Sequence, residues 1–188
     1  MSATSTLAPG FLLAPPALSD GHFDRSVVLL AAHDDTGATG FIINRSSDLR
    51  LHALLPDLEL VPTVADRAVY VGGPVEGYAG FVLYEHAPNA PAGPGMSISE
   101  TVSISPSRDV LEKAVHGRLR GRFELLLGYA GWGPGQLDDE LRRGSWLHAD
   151  FDSELLFDID ADERWQEVYD RLGIAPGGVI VVPGGAQA

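Results

Sequence analysis

Cysteine is absent from the 188 residues. That excludes disulfides, thiolate-held zinc or iron–sulfur clusters and thiol catalysis, and it fits a reducing compartment. Long hydrophobic runs are missing too: none approaches the ~20 residues that span a bilayer, so no membrane partner is expected. The first residues, MSATSTLAPGFLLAPPAL, lack a positive region, and Pro9, Pro15 and Pro16 interrupt their apolar stretch. They make a poor signal peptide, and the expected location is the cytoplasm. Positive charge is scarce: 13 Lys and Arg face 26 Asp and Glu, a formal net charge of −13. Such a field repels phosphate backbones, so no direct nucleic-acid binding is expected. The one dense basic stretch, RLRGRF with Arg118, Arg120 and Arg122, aligns its arginines on one face if extended. It reads as a solvated strand edge that resists edge pairing.

Signature motifs are also wanting. The spacing G-x-G-x-x-G of a dinucleotide site, the phosphate-cradling G-x-x-x-x-G-K-[ST] and the nucleophile elbow G-x-S-x-G all fail to occur. No cofactor is expected. The run His33-Asp34-Asp35 sits at a chain reversal, where turn chemistry accounts for both aspartates without a metal. Asp158, Asp160 and Asp162 resemble the start of a calcium loop. Glu163 and Tyr169, however, stand where that loop needs Gly and Glu, and Asp162 reads as a helix N-cap. Six histidines are spread along the chain, and nothing in their spacing nominates a Ser-His-Asp triad.

What is present is a core. Hydrophobic residues make up 45% of the chain, ample for one domain of this length. Residues 10–174 read as that domain, residues 1–9 as a loose leader, and residues 175–188, with the apolar run VIVV, as an edge strand or partly ordered tail. The centre is the stretch SVVLLAAHDDTGATGFIINR at residues 26–45. Two short runs rich in β-branched and aromatic residues flank DDTG, which predicts a hairpin with a loop longer than two residues. Neither arm alternates strictly, so both are expected to be buried on both faces. Further strands are predicted at 10–14, 67–71, 81–84, 97–103 and 123–129. Helices are predicted at 49–55, 107–116, 136–143 and 162–172. Pro56 is expected to stop the first helix, because it disfavours helical geometry at the residue before it.

The candidate ligand or partner rim follows from where polar and glycine residues end apolar strands. Asn44 and Arg45 close the second arm of the central hairpin. Gly72, Gly73 and Pro74 close another strand, where a missing Cβ lets backbone approach a ligand. Trp132 beside a glycine turn and Gln136 at the start of a helix suggest a pocket wall and anion-binding amides. His33 completes the set.

These residues accumulate into a resemblance. FLLAPPALSD from Phe11, FDRSVVLLAAHDDTGATGFIINR, VYVGGPV from Val69, GYAGWGPGQLDDEL from Gly128 and the late WLHAD, LLF and W-x₆-LGI elements together resemble the AlgH/YqgE family (UPF0301, DUF179). The likeness runs through nearly the whole chain in order. It departs at Ser46, where the family commonly has Pro, and at Tyr84, where His is usual. It implies an α+β domain whose mixed, largely antiparallel, bifurcated and barrel-like sheet encloses a short helix, with other helices outside. It supplies no catalytic residues to transfer, and associates the family with transcriptional control of alginate production.

The leading expectation is therefore a cytosolic, non-enzymatic binding or regulatory protein, its occupant an unknown protein or small molecule. An enzyme with a spatially assembled, anion-handling site is the first alternative. A direct DNA-binding regulator is the second, and the charge of −13 argues against it.

Overall fold

A computed structural model describes residues 6–16, 23–90 and 93–173. The predicted C-terminal strand and most of the predicted leader lie outside them. Among the described residues there are ten strands: β1 (Gly10–Leu13), β2 (Val27–Asp34), β3 (Gly37–Ile42), β4 (Ser46–Arg50), β5 (Ala68–Val71), β6 (Val75–Glu85), β7 (Met96–Ser97), β8 (Val102–Ser105), β9 (Phe123–Trp132) and β10 (Leu147–Asp150). Five α-helices accompany them: α1 (Leu51–Leu54), α2 (Arg108–Val115), α3 (Gln136–Arg142), α4 (Ser153–Phe157) and α5 (Arg164–Arg171).

The sheet runs β10-β1-β2-β3-β9-β6-β8-β7 and forks at β9. One edge of β9 takes β3 antiparallel at Ala130–Trp132 and β5 parallel at Leu125–Leu127, while β6 lies on its other edge. Strand β4 then pairs with β5 alone. The fold is thus α+β with a bifurcated, largely antiparallel sheet, but the described strands do not close a barrel. Helix α1 lies on one face of the fork, with Leu51 and Leu55 packed among Val69, Val82, Leu125 and the apolar side of α2.

Glycines make the fork possible. Gly72 N–H donates to Leu127 O at 2.7 Å, and Gly72 O accepts from Ile42 N at 2.7 Å, so one residue joins β9 to β3. A Cβ on Gly72 would stand 2.3 Å from Gly128 O, and one on Gly73 2.1 Å from the carbonyl carbon of Tyr129. Three backbones meet there at a distance that only glycine permits. Gly128 itself has φ of +73°, and β9 changes face around it. Leu125 and Leu127 point to the α1–α2 side, whereas Leu126 and Tyr129 both join the opposite cluster. That is the behaviour of a bulge.

The central hairpin occupies the middle of the sheet, and Val27, Val28, Leu29 and Leu30 are wholly buried. Val27 and Leu29 meet α4 and α5 on one face, while Val28 and Leu30 meet Trp132, Leu137 and Trp146 on the other. Its loop is shorter than the sequence suggests. Asp34 pairs with Gly37 across a two-residue turn, because the Asp34 carboxylate accepts the Thr36 amide at 2.8 Å and holds the reversal itself.

Other boundaries shift for local reasons. Helix α1 ends before Pro56 as expected, but Leu55 keeps helical angles (φ −69°, ψ −31°) and the chain runs on into a 3-10 turn at Pro56–Leu58. The predicted strand at 97–103 is two short strands, β7 and β8, joined by a turn. The predicted strands at 67–71 and 81–84 correspond to β5 and part of β6, with β9 between them. Strands β6 and β9 are longer than the predicted 81–84 and 123–129, running through Gly77 and Gly80 and through Gly131. Residues 118–121 are not extended, and Arg122 folds back into ion pairs with Glu85 and Asp158. Glu163, not Asp162, stands at the N-cap position of α5 and makes no side-chain capping bond, and helix α4, capped by Asp152, has no counterpart among the predicted elements.

Candidate functional site

The eight residues chosen from the sequence fall into four places. Gly72 and Gly73 are buried in the fork, Gly72 hydrogen-bonded to Leu127 and Ile42 and Gly73 packed against the backbone of Tyr129 and Ala130. Asn44 and Arg45 stand at the exit of β3, beside a charged hollow of about 290 Å³ that also touches Asp24, Arg25 and Asp162. Asn44 acts there as a clip. Its Oδ1 accepts from Val27 N and its Nδ2 donates to Arg25 O, both at 2.8 Å, which fastens the chain ahead of β2 to the end of β3. Arg45 donates to Asp24 O at 3.2 Å.

Pro74, Trp132 and Gln136 come together elsewhere, around a cleft of about 380 Å³ between the end of β9, the start of β6 and α3. Phe23, Glu140, Arg143 and Trp146 complete its walls. The chain builds it in short steps. Strand β9 delivers Trp132, the turn at 133–135 reverses the chain, and α3 presents Gln136 and Glu140 one helical turn apart on one face. Gln136 secures the turn by accepting Gly133 N at 3.0 Å and passes its own Nε2 hydrogen to Glu140 Oε1 at 2.9 Å.

Glu140 is the hub. Its Oε2 accepts from Trp132 Nε1 and from Trp146 Nε1, each at 2.9 Å. Buried indoles need an acceptor, and a carboxylate is a strong one because the bond is charge-assisted. The two rings meet edge to face, centroids 6.0 Å apart, and Phe23 stands edge-on to Trp146 at 5.3 Å. An aromatic corner with fixed orientation results, with one acid and one arginine beside it. Glu140 and Trp146 escape notice in the sequence because their partnership crosses a helix and a turn. Only the i, i+4 pair Gln136/Glu140 on a polar helix face hints at it.

His33 lies next to the same helix. Leu7 N donates to His33 Nδ1 at 3.4 Å, which leaves the proton on Nε2, 3.4 Å from Asp138 Oδ2 of α3. The imidazole therefore joins residues 6–8, β2 and α3, and neither ring nitrogen is turned to a ligand.

Two other features bear on chemistry. An aliphatic groove of about 370 Å³ runs between α1, α2 and β6, with a fully exposed Tyr78 at its rim. Under the fork, Arg164 of α5 pairs with Glu124 of β9. Burial pushes the Glu124 carboxyl up, against the pull of Arg164. Burial likewise raises the Tyr70 phenol, with Glu124 adding to the shift. Among the described residues, no three His, Asp or Glu side chains are placed to hold a metal ion, and no helix is long and apolar enough to cross a membrane.

Comparison with known proteins agrees with this architecture. The DUF179 family, described as AlgH-like, matches residues 11–177. A UPF0301 protein of Anaeromyxobacter dehalogenans (strain 2CP-C) is 38% identical, over 99% of this chain and 98% of its own length. One from Thioalkalivibrio sulfidiphilus is 40% identical over 93% and 94%. Among solved structures, the solution structure of AlgH from Pseudomonas aeruginosa superposes with a TM-score of 0.77 at 33% identity, covering 100% of this chain and 99% of that one. A crystal structure of a Corynebacterium diphtheriae protein shares the fold at 23% identity, with a TM-score of 0.72 and coverage of 97% and 93%. On the matched residues, the full-length identity and the fold together, the chain belongs to the AlgH-like family, DUF179 or UPF0301.

Proposed function

We propose that this AlgH-like protein acts by binding, with a regulatory outcome, and that its occupant sits in the cleft framed by Pro74, Trp132, Gln136 and Trp146. One observation carries the reading: a single carboxylate, Glu140, holds both indoles by their N–H groups, so the aromatic walls are set before anything binds. A preformed cleft of about 380 Å³ spares a ligand the cost of ordering it. Flat apolar groups suit its walls, and Glu140 and Arg143 offer charge of either sign to a polar end. Any effect on transcription is indirect, since a net charge of −13 disfavours contact with DNA. The lack of cysteine is consistent with a cytoplasmic setting.

Native mass spectrometry of the protein, isolated gently from its own cells, tests this. The expected result is a mass surplus, or an associated chain, lost on denaturation and reduced in a Trp132→Leu variant. A bare wild-type chain overturns the binding reading. A surplus that survives Trp132→Leu unchanged moves the site elsewhere.

A further inference from the structure

Strand β6 pairs with β8 so that Tyr84 faces Ser103. His86, two residues beyond Tyr84, therefore lies diagonally across from Ser103 on the same face of the sheet. Its Nε2 is 2.9 Å from Ser103 Oγ, and its Nδ1 is 3.0 Å from Ala87 O. A carbonyl can only accept, so Nδ1 carries the hydrogen. In the neutral ring Nε2 is then the acceptor and the Ser103 hydroxyl the donor. That polarity is the one a base needs to take a hydroxyl proton, with the Ala87 carbonyl orienting the ring as a carboxylate does in a triad. Both side chains are half-buried, and both line a cleft of about 390 Å³ that also receives Tyr84, Asn89, Glu100 and Lys113.

We propose that Ser103 is a nucleophile and His86 its general base, in a second site suited to small carboxylic esters. Ser103 Oγ attacks the carbonyl carbon and its proton passes to His86 Nε2. The carbon–oxygen bond to the leaving alcohol then breaks as Nε2 returns that proton to it. Water repeats the sequence on the acyl-serine, giving the acid and restoring Ser103. Lys113 of α2 lines the same cleft, and its ammonium is assigned to the developing oxyanion. This goes beyond the binding reading, uses none of the Trp132 cleft and stands or falls independently of it.

A fluorophosphonate probe tests the assignment on the intact protein, with the labelled residue mapped by mass spectrometry. Label is expected on Ser103, and none on Ser103→Ala. His86→Gln is expected to slow labelling about 100-fold or more, the usual contribution of a general base. His86→Gly should recover part of the rate on adding imidazole, whereas Ser97→Ala and Ser99→Ala leave it unchanged. Wild-type protein unfolded in urea, a control that needs no variant to fold, should label no faster at Ser103 than at other serines. No label on the folded protein, label on a different residue, or a Ser103 rate indifferent to His86 or to unfolding overturns the proposal.

Discussion

Arg164 Nη2 lies 2.6 Å from Glu124 Oε1, and only 3% of the one side chain and 12% of the other remain exposed. The same guanidinium reaches the Ile43 carbonyl, where the chain turns away from β9, and donates through Nε to Ile159 O at 3.1 Å. A single side chain thus ties α5 to β9 and to the end of β3. Arg164→Met leaves a buried carboxylate without its partner, and the expected cost is about 3–5 kcal/mol. Arg164→Lys should recover little, because one ammonium cannot reproduce the forked contacts. The double variant Arg164→Met/Glu124→Leu should be more stable than either single one, since the charge that needed pairing is gone. Urea unfolding of the four proteins checks the order, and a double variant no better than Arg164→Met alone sinks this account.

The glycines at the fork separate close approach from mere turning. A Cβ on Gly73 would enter backbone atoms of Tyr129 and Ala130, which cannot swing aside as side chains do. Gly77, in contrast, has open space around the position. Gly73→Ala is expected to cost at least the ~1–3 kcal/mol typical of overpacking. Gly77→Ala should stay within about 0.5 kcal/mol of the parent, as exposed substitutions do. Equal thermal midpoints for the two variants would remove the steric argument.

The hairpin at 26–45 and the amphipathic helices were legible because their signals are local: β-branched runs, a turn, an apolar stripe. The fork was not, since it depends on β9 meeting three other strands, and Gly72-Gly73 reads the same in a surface turn as in a crowded junction. Arg164 sits in an acidic, helix-forming stretch that predicts a solvated face, while Glu124, 40 residues earlier, looks like the odd polar residue of a buried strand. Only their meeting explains either. Of the rim, Pro74, Trp132 and Gln136 share a cleft, and Asn44 with Arg45 lies at a separate hollow. His86 and Ser103 could not be found by spacing, because strand register sets their diagonal contact.

Glu140 offers a graded test of the cleft. With Trp132 and Trp146 only 7% and 4% exposed, Glu140→Ala strands two indole N–H groups. The expected loss is about 1–3 kcal/mol for an unsatisfied buried donor, with a change in tryptophan emission as the rings relax. Glu140→Gln keeps one oxygen with two lone pairs, so both indole bonds survive without the charge, while the exposed Gln136 Nε2 loses its acceptor to water. The loss should be smaller, about 1 kcal/mol. Urea midpoints should fall in the order parent, Gln, Ala. An Ala variant as stable as the parent would mean that water serves those N–H groups equally well.

Arg122 sets the acid side of the stability curve. Its guanidinium donates to both oxygens of Glu85 at 2.9 Å and also pairs with Asp158. The hydrogen bonds from Arg122 hold the Glu85 carboxyl below its ordinary value of 4.5 and that of Asp158 below 3.8. A depressed carboxyl contributes stability that is fully present above the unfolded value. It is lost as pH falls through the folded one. Arg122→Gln should therefore lower the urea midpoint near neutrality, by a modest amount because water and salt screen these exposed groups. The gap between parent and variant should close as the pH drops from 4.5 to well below 3.8, where both carboxyls are protonated in either state. A gap that persists in acid would show that Arg122 acts through its bond to the Phe157 carbonyl or its packing on the Phe157 ring, neither of which titrates.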